Sequence, residues 1–342
     1  MTDSAKHPQW VIGVDGGGTK TAVAAYRCNS CDVRPPLTAN DLQFGLAVTR
    51  TGSAHPNSWS TAQESLTEVI HQTVASIGDA NSIAAVHLAL AGAGREEDRK
   101  RVLAFLESMT AWSSVTRLSV SGDIDPLLDF QVNSAELSHV AKPLHSIAAI
   151  LGTGSIVASR DGVGGLLRAG GWGPNLGDEG SGWAITRAAL RLICNWIDEG
   201  MPPSDQPALV TRVVDALLGN EKVERDRLAA AVIAAGVDRK AVAMLTAAVL
   251  RSWIEEGDAT AGAIVQCELQ LFCRQIQMLV ARLGCAGRWR LQVSGGLVTH
   301  FPQVERVLVE ELSRLAIAPC EIINVDPIVA AVQAAWRNRA VR

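Results

Sequence analysis

The chain has 342 residues, of which 48% are hydrophobic and 19% charged, and its formal net charge is −4. This length exceeds that of an ordinary domain with a single hydrophobic core and favours two domains. The apolar fraction excludes a disordered chain. Basic residues are scattered, which argues against a nucleic-acid partner, and the apolar stretches are too short and too interrupted by charges for a membrane span.

The first nine residues are polar and contain no apolar signal segment, so we expect a cytoplasmic protein. Seven cysteines are spread along the chain without a disulfide framework, and we expect mostly buried free thiols. Cys28 and Cys31 have CxxC spacing, but no second pair completes a zinc site. Whether these two residues bind anything stays open.

Short apolar runs alternate with glycine turns in the first part of the chain. Trp10–Asp15 and Thr21–Arg27 flank a glycine-rich turn and predict a β-hairpin. The elements predicted next are an extended piece at Leu46–Thr51, a helix over Ser58–Ile77, a strand over Ile83–Ala91, a helix over Glu96–Thr110 and a strand over Val115–Ser121. This order is typical of a mixed α/β sheet.

The same pattern then restarts. Ser146–Leu151 and Ile156–Arg160 flank a second glycine turn, and Leu166–Ala169 can add a third strand. The rest predicts mainly helix over Gly180–Gly284, a strand over Arg290–Ser294, a helix over Gln303–Leu315, an extended Cys320–Val325 and a closing helix over Pro327–Arg339. We interpret the restart as a duplicated domain core.

The predicted domains follow from this duplication. The first covers residues 1–133, and the closing helix at 327–342 is expected to pack on it. The second covers 134–326 and carries a helical insertion at about 180–285. The predicted boundary lies near Asn133–Pro143.

The first glycine turn has the composition of a phosphate-binding turn. Glycines let backbone N–H groups approach an anion closely, and a carboxylate at the strand end suits a hydrated Mg²⁺. The candidate ATP-binding residues are Gly16, Gly17, Gly18, Thr19 and Lys20, and the candidate metal residue, acting through water, is Asp15. The order Gly18-Thr19-Lys20 is not that of a Walker A loop, and a tight hairpin without a ligand remains an alternative.

Two later glycine motifs strengthen the nucleotide interpretation. Thr153 and its glycine neighbours stand at the corresponding turn of the second half, so two such turns facing each other across a cleft would hold a phosphate chain from both sides. Gly295 and Gly296 follow a strand and precede a helix, where they could lie against adenosine or form a close packing turn.

These motifs together resemble the sugar kinase, actin and Hsp70 superfamily, and more narrowly the N-acetylglucosamine kinase branch grouped with the BadF-type ATPases. The matching pieces are Asp15–Thr21, Leu88–Gly92, Ile150–Ser155 and above all Arg168–Gly182. The resemblance covers nearly the whole chain. It implies two actin-like (ribonuclease H-like) α/β domains, each with a mixed sheet flanked by helices, closing on ATP and substrate across a cleft.

In the phosphoryl transfer to a sugar hydroxyl that the resemblance implies, a carboxylate must accept the proton of that hydroxyl. Asp123 follows a predicted strand at the edge where open α/β sheets place ligands, and the resemblance puts the catalytic base after this strand. The family usually has a small residue next, whereas Ile124 follows here. Asp125 competes for the role, but Asp125 before Pro126 is typical of a helix N-cap followed by the first helical residue.

The resemblance also assigns sugar contacts. It implies Asp178, Ser155 and the backbone of Gly170 and Gly171 as sugar-binding groups, with Gly154 beside them and Asn57 in a separate loop. Two of these assignments have simpler alternatives: Asp178 can cap the next helix with Ser181, and Asn57 or Ser58 can cap the helix to Ile77. We expect Ser181 to cap and Trp172 to pack in the core.

The resulting hypothesis is ATP-dependent phosphorylation of the 6-hydroxyl of an amino sugar, N-acetylglucosamine or glucosamine, with Asp123 as base, also contacting substrate. N-acetylmuramic acid and glucose remain alternative acceptors. Another class in the same family, ATPases that activate dehydratases, shares an iron–sulfur cluster across a dimer, but the loops 152–155 and 170–182 contain no cysteine. The resemblance implies a homodimer as one option, although no interface signature is visible.

Overall fold

The computed structural model describes residues 9–17, 20–28, 35, 38–42, 59–109, 115, 117–131, 145–200, 202, 206–219, 225–237, 239–285 and 287–339. The chain divides into two units: Met1–Ala141 with Val325–Arg342, and Lys142–Asn324. The predicted boundary region at 133–143 and the extended piece predicted at Leu46–Thr51 lie outside the described residues.

The described part of the first unit contains a four-stranded mixed sheet. Its strands are β1 (Gln9–Gly16), β2 (Thr21–Cys28), β3 (Ile83–Leu90) and β4 (Leu118–Gly122), in the order β2-β1-β3-β4. Its α-helices are α1 (Trp59–Ile77), α2 (Glu96–Ser108), α3 (Ile124–Leu128) and the last helix of the chain, α11 (Pro327–Asn338). The predicted hairpin is confirmed, because β1 and β2 pair antiparallel with Gly16 opposite Thr21.

Helices cover both faces of this sheet, which explains why β3 is buried along its whole length and is apolar apart from His87. On one face, side chains such as Val86 and Leu88 pack with α1 and α2. On the other face, Val11 and Ala85 pack with Val332 of α11. Gly13 makes this second contact close, since a β-carbon there would overlap with the backbone nitrogen of Val332.

The second unit repeats this topology with one more strand. Its strands are β5 (His145–Leu151), β6 (Ser155–Arg160), β7 (Leu166–Gly170), β8 (Trp289–Ser294) and β9 (Glu321–Asn324), in the order β7-β6-β5-β8-β9. As in the first sheet, an antiparallel hairpin is followed by two parallel strands on its other side. The duplication predicted from the two glycine turns is therefore present in the strand pairing.

The segment between β7 and β9 supplies the helices of the second unit. They are α4 (Gly182–Asp198), α5 (Ala208–Leu218), α6 (Arg225–Val237), α7 (Arg239–Glu256), α8 (Ala259–Leu283), α9 (Gly296–His300) and α10 (Pro302–Arg314). The core of this unit is centred on α8, where Leu269, Phe272 and Ile276 are fully buried. None of the helices in the described part of the chain has both the length and the hydropathy needed to cross a membrane.

Candidate active site

Two carboxylates lie at the carboxyl ends of parallel strands at one edge of the first sheet: Asp15 within β1 and Asp123 directly after β4. Asp15 pairs with Ala89 on β3, and Ala89 pairs with Ser121 on β4. Since β1, β3 and β4 are parallel, their carboxyl ends share an edge, and Asp123 follows two residues after Ser121. Asp15 and Asp123, which belong to separate sequence motifs, therefore lie at one edge of one sheet.

The charges at this edge interact. Burial, together with the neighbouring carboxylates of Asp123 and Asp326, raises the pKa of the Asp15 carboxyl to about 7, although the Lys20 ammonium opposes the shift. Three carboxylates with one ammonium leave this edge short of positive charge. The donor set therefore fits a hydrated divalent cation, which binds few carboxylates directly and keeps its waters.

The turn between β1 and β2 is closed by its own backbone. The N–H of Gly17 donates to the carbonyl of Lys20 at 2.9 Å, and the N–H of Ala91 donates to the carbonyl of Gly16 at 2.8 Å. The Gly17 amide is thus engaged within the turn. Gly18 and Thr19, two of the predicted phosphate-binding residues, lie outside the described residues.

Asp123 stands at the start of a short helix. Its backbone is already helical (φ −61°, ψ −28°), and α3 begins at the next residue. Asp125 consequently lies inside the first turn of α3, so its assignment as the N-cap of a helix beginning at Pro126 is wrong. The physical reason is the burial of Ile124, which is 3% exposed, so that the helix begins two residues earlier than predicted.

In the second unit, the β5–β6 turn supports the first turn of α4. The N–H of Gly152 donates to the carbonyl of Gly154 at 3.0 Å and closes the turn. The carbonyls of Gly152 and Thr153 then accept from the N–H groups of Gly182 and Trp183, at 2.8 and 3.1 Å. Two orphan donors of the helix N-terminus are thereby satisfied by the predicted phosphate turn.

Ser181 caps α4, as predicted: its hydroxyl oxygen accepts from the N–H of Ala184 at 3.2 Å. The carboxylate of Asp178 is directed elsewhere. Its Oδ1 accepts from the N–H of Gly173 at 3.2 Å, and a β-carbon built on Gly154 would lie 3.1 Å from its Oδ2. The backbone of Asp178 is left-handed (φ 63°), a conformation that costs about 1 kcal/mol or more in a non-glycine residue.

The loop that carries Asp178 is fastened to the sheet and to α8. Ser155, predicted to touch the sugar, donates its hydroxyl to the carbonyl of Glu179 at 2.8 Å. Gln275 of α8 donates its Nε2 to the carboxylate of Glu179 at 2.6 Å, and Glu268 of α8 accepts from the N–H of Gly180 at 3.2 Å. Burial raises the pKa of the Glu268 carboxyl, and the N–H of Gly180 opposes this.

Gln275 and Glu268 were not predicted. They lie 88 or more residues from the loop they hold, so no local pattern links them to it. Their spacing of seven residues places both side chains on the same side of α8, but other polar residues of this helix give no sign of which ones hold the loop. We expect these two residues to affect function by holding the Asp178 loop in place, not by contacting a substrate.

The glycine pairs of this unit meet close neighbours. Gly170 and Gly171 have positive φ values of 69° and 68°. A β-carbon on Gly170 would overlap with Oε1 of Gln275, and one on Gly171 would lie 2.9 Å from the side chain of Ile156. Gly295 (φ 114°) similarly faces the backbone of Leu151. Close packing thus accounts for glycine at these positions, and their ligand roles stay predictions.

Trp172 corrects another prediction. Its side chain is 75% exposed, not packed in the core, and the neighbouring Leu176 is 79% exposed. The flanking residues Gly171 and Gly173 both have positive φ values and turn the chain outward at this point.

Three remaining predictions fall on residues that give little geometry. Asn57 and Cys31 lie outside the described residues, and Gly296 begins the short helix α9. Cys28 is buried at the end of β2. Within the described ranges, no group of three or more His, Cys, Asp or Glu side chains is arranged to hold a metal ion directly.

Comparisons with known proteins agree with this architecture. The model of the BadF/BadG/BcrA/BcrD ATPase family matches residues 12–335. The chain is 29% identical over 300 residues to an N-acetylmuramic acid/N-acetylglucosamine kinase from Clostridium acetobutylicum, covering 86% of this chain and 87% of that protein.

Solved structures extend the comparison to the fold. The chain resembles a candidate N-acetylglucosamine kinase from Chromobacterium violaceum, with a TM-score of 0.58, 20% identity and coverage of 95% of this chain and 98% of that one. It also resembles a ROK family glucokinase from Streptomyces griseus, solved with glucose and AMPPNP, with a TM-score of 0.56, 13% identity and coverage of 96% and 99%. The expected actin-like fold class with mixed sheets is thereby confirmed.

Proposed function

Because the chain belongs to the BadF/BadG/BcrA/BcrD ATPase family, we propose that it is an ATP-dependent sugar kinase that phosphorylates the 6-hydroxyl of an amino sugar. N-acetylglucosamine or glucosamine is the acceptor in this proposal. The similarity over most of the chain to a kinase named for N-acetylmuramic acid and N-acetylglucosamine supports the acceptor class.

One observation carries the proposal: Asp15 and Asp123 lie at the same sheet edge, near enough for Asp123 to raise the pKa of Asp15. Transfer of a phosphoryl group to a hydroxyl needs one carboxylate to orient and deprotonate the acceptor, and positive charge to balance the phosphates. An edge with several carboxylates meets both needs, since one carboxylate can take the proton while another can bind the metal ion that provides the positive charge.

In this mechanism Asp123 accepts the proton of the sugar 6-hydroxyl. The oxygen of that hydroxyl forms a bond to the γ-phosphorus of ATP while the bond between the γ-phosphorus and the bridging β-phosphate oxygen breaks. Asp15 would hold a hydrated Mg²⁺ through water, and the ion would supply positive charge to balance that of the phosphates. The glycine turns at Gly16–Lys20 and Thr153 contact phosphates through backbone N–H groups and hydroxyls, and Gly295 and Gly296 contact the nucleoside.

The sugar groups belong to the second glycine-rich segment and to Asn57. Asp178 is proposed to accept two sugar hydroxyls, which its buried, backbone-held carboxylate is suited to do. Gly154, Ser155, Gly170 and Gly171 are proposed to line the same subsite. Their fixed geometry means that little conformational freedom is lost when the sugar binds.

A coupled ADP-release assay over a panel of hexoses and amino sugars tests this function. We expect the largest kcat/KM for N-acetylglucosamine or glucosamine, with N-acetylmuramic acid and glucose as the closest competitors. Mass spectrometry of the product should then show one phosphate ester at the 6-position. If no sugar raises ADP release above basal hydrolysis, the kinase proposal fails and the ATPase-activator alternative takes its place.

A further inference from the structure

A hydrogen-bonded series of polar side chains, centred on the buried His87, lies on the α11 face of the first sheet, beside the segment Gly122–Gln131 that contains Asp123. His87 of β3 is 6% exposed, its Nδ1 lies 2.9 Å from the hydroxyl oxygen of Ser119, and its Nε2 lies 3.0 Å from that of Ser121. Nothing in the proposed reaction uses this histidine. Imidazole is costly to bury unless both ring nitrogens have partners, and here both do.

Counting protons fixes the direction of these bonds. The hydroxyl of Ser121 donates to the carbonyl of Gly122 at 2.9 Å, and that of Ser119 lies 3.2 Å from the carbonyl of Val86. Each hydroxyl has one proton, and a neutral imidazole has one N–H. At least one hydroxyl must therefore donate to His87 instead of to its carbonyl.

His87 is neutral in the working range of the enzyme. Burial, together with the Arg337 guanidinium, lowers its pKa to about 4, although the Asp129 carboxylate opposes the shift. The longer carbonyl bond, from Ser119 to Val86, is the weaker one to lose. Ser119 then donates to Nδ1, and the Nε2–H of His87 donates to Ser121, which keeps its bond to Gly122.

The chain of bonds has a defined start and end. It starts at α11, where the Nδ2 of Asn338 donates to the hydroxyl of Ser119 at 3.0 Å. It ends at the carbonyl of Gly122, which belongs to the peptide that joins Gly122 to Asp123. Such a chain of aligned donors polarises each member and holds the last peptide in one orientation.

The C-terminal end of the segment Gly122–Gln131 is also bound to α11. Gln333, fully buried, accepts from the N–H of Gln131 at 2.9 Å and donates to the carbonyl of the same residue at 3.0 Å. Arg337 donates to the carbonyl of Asp129 at 2.7 Å. The segment from Gly122 to Gln131 is thus fixed at both ends, and only its first anchor passes through a histidine.

We propose that His87, as the neutral Nε2–H tautomer, is a positioning residue that fixes the peptide before Asp123 through Ser121. This inference rests on the proposed function, because it treats Asp123 as the catalytic base. His87 touches no substrate in this scheme. It acts only by limiting the directions from which the Asp123 carboxylate approaches the acceptor hydroxyl.

Two amide replacements separate this role from simple packing. In His87→Gln the side-chain amide reaches the position of Nε2 and can still donate to Ser121, whereas in His87→Asn it reaches only the position of Nδ1. We expect His87→Asn to lower kcat about 10- to 100-fold with KM for ATP unchanged, and His87→Gln to stay within about 3-fold of wild type. His71→Gln on the exposed face of α1 is the matched control.

The bond itself is read without activity. Nitrogen-15 NMR of the wild-type protein should show His87 protonated at Nε2 only between pH 6 and 8. A double-mutant cycle of His87→Asn and Ser121→Ala on unfolding free energy should show coupling, because each removes the same bond.

A ring protonated at Nδ1, or additive effects in the cycle, would overturn the proposal, as would equal losses of kcat in the Gln and Asn variants. Failure of the proposed function is a different result: Asp123→Asn would then keep full turnover while the tautomer and the coupling remain as expected.

Discussion

The carboxylate of Asp178 packs against the α-carbon of Gly154, so a β-carbon at residue 154 would lie 3.1 Å from Oδ2 and 3.6 Å from the carboxyl carbon. That distance is shorter than an ordinary contact. The carboxylate cannot retreat freely, because Oδ1 is held by the N–H of Gly173. The Asp178 carboxylate can therefore lie against the β5–β6 turn only because residue 154 has no side chain.

Gly154→Ala should displace Asp178 with little effect on folding. We expect KM for the sugar to rise about 10-fold while KM for ATP changes little. The control is Gly152→Ala in the same turn, where the nearest atom to the new β-carbon would be 3.9 Å away. Equal KM values for sugar in the two variants, measured by steady-state kinetics, would show that Asp178 does not contact the acceptor.

Asp123→Asn should remove the base without changing the shape of the site. We expect kcat to fall by at least about 100-fold, since an amide cannot accept the proton. ATP affinity, measured by calorimetry, should stay near the wild-type value. Asp125→Asn is the discriminating control, because Asp125 is the carboxylate that competes with Asp123 for the role of base, and this variant should keep most of its turnover. The opposite ranking of the two variants would transfer the role of base to Asp125.

Asp15 makes stability depend on pH. Its folded pKa of about 7 lies above the ordinary value of 3.8. The stability contributed by the protonated carboxyl is therefore complete below about pH 4 and is lost as pH rises through about 7. The free energy of unfolding in metal-free buffer should fall over this range by on the order of 4 kcal/mol.

Asp15→Asn should remove most of that fall, since the amide does not ionise, and it should weaken binding of Mg²⁺ with ATP. Urea unfolding at several pH values between 4 and 8 measures the first effect. A variant whose stability declines with pH as steeply as wild type would mean that Asp15 is ionised throughout. In wild type, affinity for Mg²⁺ with ATP should increase as pH rises through 7, because binding favours the carboxylate.

The contact between Gln275 and Glu179 can be tested by exchanging the two groups. Gln275→Glu places two carboxylates at a separation of 2.6 Å in the native geometry and should loosen the Asp178 loop. We expect KM for the sugar to rise about 10-fold, and the second change Glu179→Gln to restore it, because amide and carboxylate then face each other again. Absence of rescue would indicate that Gln275 acts through packing on Gly170 alone.

The sequence predicts the parts of this fold that depend on local patterns. Alternation of apolar residues with glycine turns gives both hairpins, and their repetition gives the duplicated sheet. Helix α4 and its cap Ser181 follow from the same kind of local signal. Asp15 and Asp123 could be placed at one edge because parallel strands end on the same side of a sheet.

Features that depend on distant contacts were not predictable in this way. The start of α3 at Ile124 reflects burial of that side chain, which overrides the capping preference of Asp-Pro. The exposure of Trp172 results from left-handed glycines on both sides of it. His87 within an apolar strand gives no sign of function until the serines of β4 are paired with it.

The close contact of Gly13 with α11 has a consequence for biosynthesis. The first unit needs residues 327–338 to cover the face of its sheet that carries Val11 and Ala85, but the ribosome makes these residues after the whole of 142–324. The second unit can therefore complete its core during translation, whereas the nascent N-terminal sheet must wait with one apolar face uncovered. Chaperones that bind exposed apolar chain should engage the N-terminal segment for most of this interval.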